Sequence, residues 1–172
     1  AHGPQTLHAV RGQVSMVRMA DLQSARLPGQ CVNGHGSWIP GVPLDAQNEP
    51  STGWGVFGSG FDHERLDDVV RERDHLDNLT RLRQLFPQAG LDGLTDLPWR
   101  GWSGVRCTSP DRLPWCGVGP EPGLLVLTAL GARGLTLGAW LAHALVGHHL
   151  GEPDALASPS GPPLWHALKP GR

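Results

Sequence analysis

The feature that most constrains the fold is a strand–turn–helix sequence in the last third of the chain. Residues 124–130 (LLVLTAL) form a near-continuous apolar run, which is typical of a strand buried on both faces. A glycine-rich turn at residues 131–134 leads into a helix over residues 135–150 that is apolar almost all round, so we expect this helix to be buried too. Such a unit needs parallel neighbours, which the rest of the sequence does not supply. Because the chain also begins at Ala1 rather than at Met, we expect it to be a piece of a larger two-domain protein.

The first two thirds of the chain predict an antiparallel sheet with one long helix. Apolar residues at three- and four-residue steps after Asp62, a good N-cap, predict a helix over residues 63–86. Asn33-Gly34 predicts the two-residue turn of a hairpin within residues 31–39. Further strands are predicted at residues 8–17, 52–57, 99–107 and 113–118. The predicted class is therefore α+β, with an antiparallel sheet region at 1–120, a last strand and helix at 121–153 and a tail at 154–172.

Composition excludes several broad classes of protein. Only 17% of residues are charged and the net charge is −2, which argues against a nucleic-acid binder that works by overall charge. No apolar run approaches the ~20 residues needed to span a bilayer. The first residues carry no basic segment followed by an apolar stretch, so we expect no secretory signal. Three cysteines without a CxxC motif fit a reduced, cytoplasmic chain.

Two glycine-rich motifs are candidates for a nucleotide-binding loop. Residues 53–58 (GWGVFG) satisfy G-x-G-x-x-G, but polar residues precede them and more glycine follows, so we interpret them as a glycine-rich strand. The turn at residues 131–136 (GARGLT) has the better context, because it lies between an apolar strand and the N-terminus of a helix, which favours negative charge. A tight turn without a ligand explains the same residues, and both interpretations stay open. Arg133, a cation in an otherwise apolar turn, needs a partner.

Other charged side chains and the histidines each have a structural and a functional interpretation. Arg106 lies in a predicted strand, where it either pairs with Asp111 across the following turn or clamps a ligand carboxylate with its guanidinium fork. The charged face of the long helix is interpreted as a solvated face rather than a phosphate-binding one, because acids accompany its arginines. His143, His148 and His149 lack an acid at metal-binding spacing, so we expect no metal.

Six blocks of sequence carry a resemblance to a known family. In order, they are VRGQVS at 10–15, NGHGSWIP at 33–40, GSGFD at 58–62, NLTRL at 78–82, GVRCTSPDRLP at 104–114 and LGARGLT at 130–136. Together they resemble the C-terminal half of the FAD-dependent oxidoreductase domain of the MnmC family, the bifunctional tRNA 5-methylaminomethyl-2-thiouridine biosynthesis proteins. That family is part of the wider glycine/D-amino-acid oxidase superfamily. The resemblance runs from about residue 7 to residue 170.

The resemblance implies a cofactor, a reaction and a partner. The cofactor is FAD, and the substrate is tRNA carrying carboxymethylaminomethyl-uridine at the wobble position. The carboxymethyl group is removed oxidatively, which leaves aminomethyl-uridine and releases glyoxylate. The family's N-terminal Rossmann half, and the methyltransferase domain of its bifunctional form, have no counterpart in these 172 residues. Two alternatives stay open: an amine oxidase acting on a small amino acid, and a non-catalytic remnant without its cofactor half.

The resemblance also implies site residues. Arg106 matches the superfamily arginine that holds the substrate carboxylate, and is the candidate catalytic residue. Arg11, Gly12 and Gln13 match the block that enters the substrate domain, where we expect them to be structural. The turn that embraces the flavin is matched by Gly131, Ala132, Arg133, Gly134, Leu135 and Thr136.

Overall fold

The computed structural model describes residues 6–44, 53–152 and 165–170. The chain divides into two compact units, Arg11–Val105 and Ala1–Val10 with Arg106–Arg172. Two antiparallel sheets and the helices that cover them confirm the predicted mixture of strands and helices. Among the described residues, no helix combines the length and the apolar character that crossing a membrane requires.

The larger sheet has five strands. They are His8–Arg18 (β1), Val32–Asn33 (β2), Ser37–Val42 (β3), Trp54–Gly58 (β4) and Arg100–Thr108 (β5). Their order across the sheet is β2-β3-β4-β1-β5, and β2, β3, β4 and β1 pair antiparallel in turn. The helix α1 (Glu72–Leu85) contacts β4 and buries Leu79 and Leu82 against the sheet. The buried partners of these leucines include Val17, Trp38 and Phe57.

Glycine in β4 makes room for a tryptophan. Trp38 of β3 is fully buried, and a Cβ on Gly55 would lie 2.3 Å from its Cη2 atom, closer than two carbon atoms approach. The indole nitrogen of Trp38 donates a hydrogen bond to the carbonyl of Pro28 at 2.9 Å. The interpretation of residues 53–58 as a glycine-rich strand rather than a phosphate loop is thus confirmed, because β4 is paired along both edges.

The predicted hairpin at residues 31–39 forms, but its turn is longer than predicted. Asn33 pairs with Ser37 and Val32 pairs with Trp38, so three residues, 34–36, connect the strands. A two-residue turn centred on Asn33-Gly34 is therefore wrong. The N–H of Gly34 donates to the carbonyl of Gly36 at 2.7 Å, and the three-residue turn keeps Trp38 on the buried face of the sheet.

The long helix begins nine residues later than predicted. Residues 63–71 are not helical, and Asp62 forms an isolated antiparallel bridge with Arg11 instead of capping a helix. The buried guanidinium of Arg11 accounts for the difference. It donates to the carbonyls of Asp67 and Val69, and the amide of Gln13 donates to the carbonyl of Arg71. Because these carbonyls are bound by β1, the helix starts only at Glu72.

The second unit contains the strand–turn–helix sequence. Trp115–Val118 (β6) pairs antiparallel with Leu125–Thr128 (β7), and a single 3₁₀ turn at Gly131–Arg133 leads into α2 (Gly134–His149). A short helix, α3 (Trp165–Leu168), adds Leu168 to a small core with Cys116, Leu141, Ala144 and Leu145. β6 lies before the boundary predicted at residue 120 and β7 lies after it, so the two paired strands fall in different predicted regions. The division at 120 and 153 stays a prediction, and residues 154–164 and 171–172 of the tail region lie outside the described residues.

In the described chain, α2 and its preceding strand are not fully buried, as expected for a unit whose parallel neighbours the rest of the sequence does not supply. Only one face of α2 is buried, and Leu135, Val146 and Leu150 are 103, 49 and 67% exposed. All four residues of β7 are half-buried. The physical reason is that a single two-stranded sheet covers one side of an almost uniformly apolar helix. The other side carries the exposed apolar residues that missing neighbours would leave.

Candidate active site

The two faces of β5 have different surroundings. A Cβ on Gly101 would lie 2.8 Å from the Cε1 atom of His75 in α1, so Gly101 faces that helix. Side chains alternate along a strand, so Arg100, Trp102 and Gly104 lie on the opposite face. We call this the outer face of β5. The same alternation places Arg106 on it.

Arg106 lies in a strand, as predicted, and is half-buried. The turn that follows is closed by Asp111, whose Oδ1 accepts hydrogen bonds from the hydroxyl of Ser109 and the N–H of Leu113, both at 2.9 Å. Asp111 therefore stabilises the turn through its immediate neighbours. The role of Arg106, as carboxylate clamp or as partner of Asp111, stays a prediction.

The glycine turn leaves its backbone accessible. Gly131 has φ +57°, in the left-handed region, and no atom lies within 4 Å of the position of a Cβ there. α2 begins three residues later and runs for 16 residues. The first N–H groups of a helix have no partner within the helix and favour negative charge. An accessible backbone before a helix N-terminus fits the close approach of the anionic edge of a flavin.

The other residues of this turn have separate environments. The guanidinium of Arg133 finds a partner, as its apolar context required, in the backbone carbonyl of Arg112 at 3.0 Å. The hydroxyl of Thr136 donates to the carbonyl of Arg133 at 3.0 Å and holds the first turn of α2. Ala132 and Leu135 are exposed, so the side of the turn that carries them is accessible.

Sequence reasoning missed a buried polar cluster between β1 and α1. The hydroxyl of Ser15 lies 2.7 Å from Nδ1 of His75, and the amide of Asn78 donates to both Ser15 Oγ and the carbonyl of Gln13. Burial lowers the pKa of His75, so its neutral form is favoured. Ser15 is fully buried, so its hydroxyl cannot reach a substrate. The cluster therefore joins α1 to the sheet; the alternation of β1 alone could have placed Arg11, Gln13 and Ser15 on one face.

The arginines near the start of α1 are largely paired. A polar cleft of about 430 Å³ includes Arg65, Arg73 and Arg81 together with Asp62 and Asp77 in its lining. Arg65 pairs with Asp62 at 3.2 Å, and Arg71 pairs with Asp67 at 2.8 Å. Hydrogen bonds from Arg71 hold the pKa of Asp67 well below its usual range. Neighbouring acids thus offset much of the positive charge on this surface.

The described residues contain no cluster of three His, Cys, Asp or Glu side chains that could hold a metal ion. His143, His148 and His149 are exposed along the last three turns of α2. Cys116 is buried, and burial raises the pKa of its thiol, so it is a core residue rather than a ligand or nucleophile.

Comparison with protein families and curated proteins confirms the resemblance inferred from the sequence. The family model described as FAD dependent oxidoreductase (DAO) matches residues 1–147. A tRNA 5-methylaminomethyl-2-thiouridine biosynthesis bifunctional protein MnmC from Polaromonas sp. (strain JS666) is 38% identical over 170 residues. That match covers 97% of this chain and 26% of the relative. The chain thus spans about a quarter of the length of the curated relatives it matches.

Comparison with solved structures gives the fold. Iminodiacetate oxidase from Chelativorans sp. BNC1 has a TM-score of 0.64 at 24% identity, with 98% of this chain and 40% of that one covered. Glycine oxidase from Geobacillus kaustophilus has the same TM-score at 22% identity, with 88% and 37% covered. Both are similar to this chain in fold over about two fifths of their own length.

Proposed function

Since this chain belongs to the FAD dependent oxidoreductase family, we propose that it is the C-terminal part of an FAD-dependent enzyme of tRNA modification. Its substrate is carboxymethylaminomethyl-uridine at the wobble position of tRNA, and its products are aminomethyl-uridine and glyoxylate. The observation that carries this proposal is the 38% identity, over 97% of the chain, to a protein named for tRNA thiouridine biosynthesis. The enzyme is proposed to act in the cytoplasm.

The proposed reaction oxidises a C–N bond. Bound FAD would accept a hydride from the carbon between the amine and the carboxylate. Water then adds to the resulting imine, and the C–N bond breaks to release the amine on the uridine and glyoxylate. In this scheme the protein binds and orients the substrate and stabilises charge, so it needs no dedicated acid or base.

The chain's own residues have two tasks in this scheme. Arg106 holds the substrate carboxylate through its fork of N–H donors, which fixes the neighbouring carbon. The turn made of Gly131, Ala132, Arg133, Gly134, Leu135 and Thr136 would hold the flavin. The N–H groups that begin α2 would stabilise negative charge on the reduced flavin. The accessible backbone of Gly131 and the exposed side chain of Leu135 support this placement.

The exposed apolar residues of the second unit support the view that the chain is part of a larger domain. Val118, Leu135 and Leu150 are each more than 60% exposed, and monomeric proteins rarely leave large contiguous apolar surfaces uncovered. We propose that the Rossmann half, with its own glycine fingerprint for the ADP part of FAD, covers this surface. The methyltransferase domain of the bifunctional form lies beyond that half.

The test is the activity of the protein encoded by the complete reading frame. We expect it to purify with a flavin spectrum and to convert tRNA carrying carboxymethylaminomethyl-uridine, with glyoxylate released in equal amount. Nucleoside mass spectrometry and a glyoxylate assay measure both products. Turnover of free glycine or iminodiacetate with no change in the tRNA would instead favour the amine-oxidase alternative. A colourless protein that turns over neither substrate would favour the non-catalytic remnant.

The glycine turn makes a prediction about FAD affinity. In the complete protein, Gly131→Ala should raise the Kd for FAD by about tenfold or more, because the Cβ occupies the backbone surface that faces the flavin. Gly151→Ala is the matched control, since Gly151 also has positive φ (+76°) and open space but lies at the other end of α2. Gly134 has helical φ, −56°, so Gly134→Val tests the contact with little backbone strain. Flavin fluorescence titration measures the affinity; equal affinity for all three variants and wild type would place the cofactor elsewhere.

A further inference from the structure

Two arginines lie over one buried tryptophan in the five-stranded sheet. Trp54 of β4 is paired directly with Arg18 of β1, and the guanidinium carbon of Arg18 lies 4.9 Å from the centre of the indole ring. The guanidinium carbon of Arg100, at the start of β5, lies 4.8 Å from the same centre. Trp54 is only 3% exposed, whereas both arginines are exposed. We call these three residues the Arg–Trp–Arg stack.

Among the described residues, no acidic side chain pairs with the arginines of this stack. Within residues 6–44, 53–152 and 165–170, neither Arg18 nor Arg100 has an ion pair or a side-chain hydrogen bond, in contrast to Arg11, Arg65 and Arg71. Both guanidinium carbons lie within 5 Å of one ring centre, so they are less than about a Debye length apart and repel each other. An anion that contacts both would relieve this repulsion.

The hydrogen-bonding groups of the stack are also free to serve a ligand. A guanidinium has five N–H donors in a planar fork that matches phosphate oxygens, and cation–π contact with a ring uses none of them. The stack therefore orients two cations while leaving their donors accessible.

A large aromatic side chain lies beside the stack. Trp102 is 64% exposed and follows Arg100 by two residues, so both are on the outer face of β5. A Cβ on Gly104 would lie 2.7 Å from the Trp102 ring, which shows that the glycine makes room for the indole. Proteins bind single-stranded nucleic acids through cations that contact the phosphate backbone and through exposed aromatic rings on which bases stack. The arginines and Trp102 provide both kinds of group.

We propose that Arg18 and Arg100 bind backbone phosphates of the tRNA substrate and that Trp102 stacks on one of its bases. This inference rests on the proposed function and adds a location to it.

The test uses the complete protein and measures tRNA affinity as a function of salt. Arg18→Gln and Arg100→Gln should each raise the Kd for tRNA severalfold. The double variant should reduce the slope of log Kd against log salt by about 1.5 to 2, because each arginine accounts for one phosphate contact. Trp102→Ala should raise the Kd without changing the slope, because stacking releases no counterions. Arg65→Gln is the matched control: it removes one exposed arginine that Asp62 already neutralises.

The outcomes separate this inference from the function on which it rests. Turnover of the free modified nucleoside, flavin content and melting temperature should match wild type in all five variants, since none is placed in the catalytic site. If wild type binds and modifies tRNA while the double variant retains the wild-type salt slope, the stack is not the phosphate site and the proposed function stands. If wild type does not bind tRNA at all, both proposals fail together.

Discussion

Arg106→Ala in the complete protein is expected to retain FAD and to have a lower kcat/KM for the carboxymethylaminomethyl substrate. The decrease corresponds to a loss of about 2–5 kcal/mol of transition-state stabilisation. The loss is large because a partly dry site would keep the substrate carboxylate without its partner. Arg106→Lys should restore only part of the rate, since a point charge does not replace a bidentate fork. Steady-state kinetics with modified tRNA, alongside the flavin spectrum of each variant, measure the effect.

Two further variants separate the clamp from a structural role for Arg106. Asp111 closes its own turn through Ser109 and Leu113, so Asp111→Ala should lower the melting temperature and leave kcat/KM nearly unchanged. Any effect of Arg81→Ala, on α1, should be confined to tRNA affinity. A normal kcat/KM in Arg106→Ala, combined with melting temperatures lowered alike in Arg106→Ala and Asp111→Ala, would remove the clamp from the mechanism.

Arg11→Ala should destabilise the first unit by about 3–5 kcal/mol, the cost of breaking a buried ion pair from one side. Arg11 is 1% exposed, and its guanidinium binds the carboxylate of Asp74 at 2.6 Å and the carbonyls of Asp67 and Val69. Its removal leaves these acceptors without their donor and frees residues 62–71 from β1. Urea unfolding of the complete protein, followed by tryptophan fluorescence, measures the change.

The destabilisation has a local signature and a matched control. Trypsin should cleave after Arg65 faster in Arg11→Ala than in wild type, because residues 62–71 are then no longer tied to the sheet. Arg11→Met keeps most of the buried volume, so it separates the lost charge from the lost packing. Arg73→Ala removes an exposed arginine of α1 and should change stability by less than about 0.5 kcal/mol. If unfolding and cleavage of Arg11→Ala equalled those of Arg73→Ala, the contacts of Arg11 would not be what holds this segment.

Elements with a local sequence signal can be predicted from the amino-acid sequence alone. The strand-forming residues at 8–17, the glycine-rich pattern of β4 and the apolar run before a glycine turn each predict an element that the structure contains. The six motif blocks also identify the family, because both their residues and their order can be read directly from the sequence. Periodicity also predicted the whole of α1, in which Leu79 and Leu82 form part of the core.

Features that depend on contacts between residues far apart in sequence are visible only in the folded chain. The same periodicity continues through Leu66, Val69 and Val70, yet these residues are exposed, because Arg11 binds the backbone of their segment from 50 or more positions away. The apolar character of α2 predicted burial, but how much of it is buried depends on which neighbours are present. No sequence pattern distinguishes Arg18 and Arg100 from the other arginines of the chain. They share one indole only because β1 lies between β4 and β5, an order that local patterns do not encode.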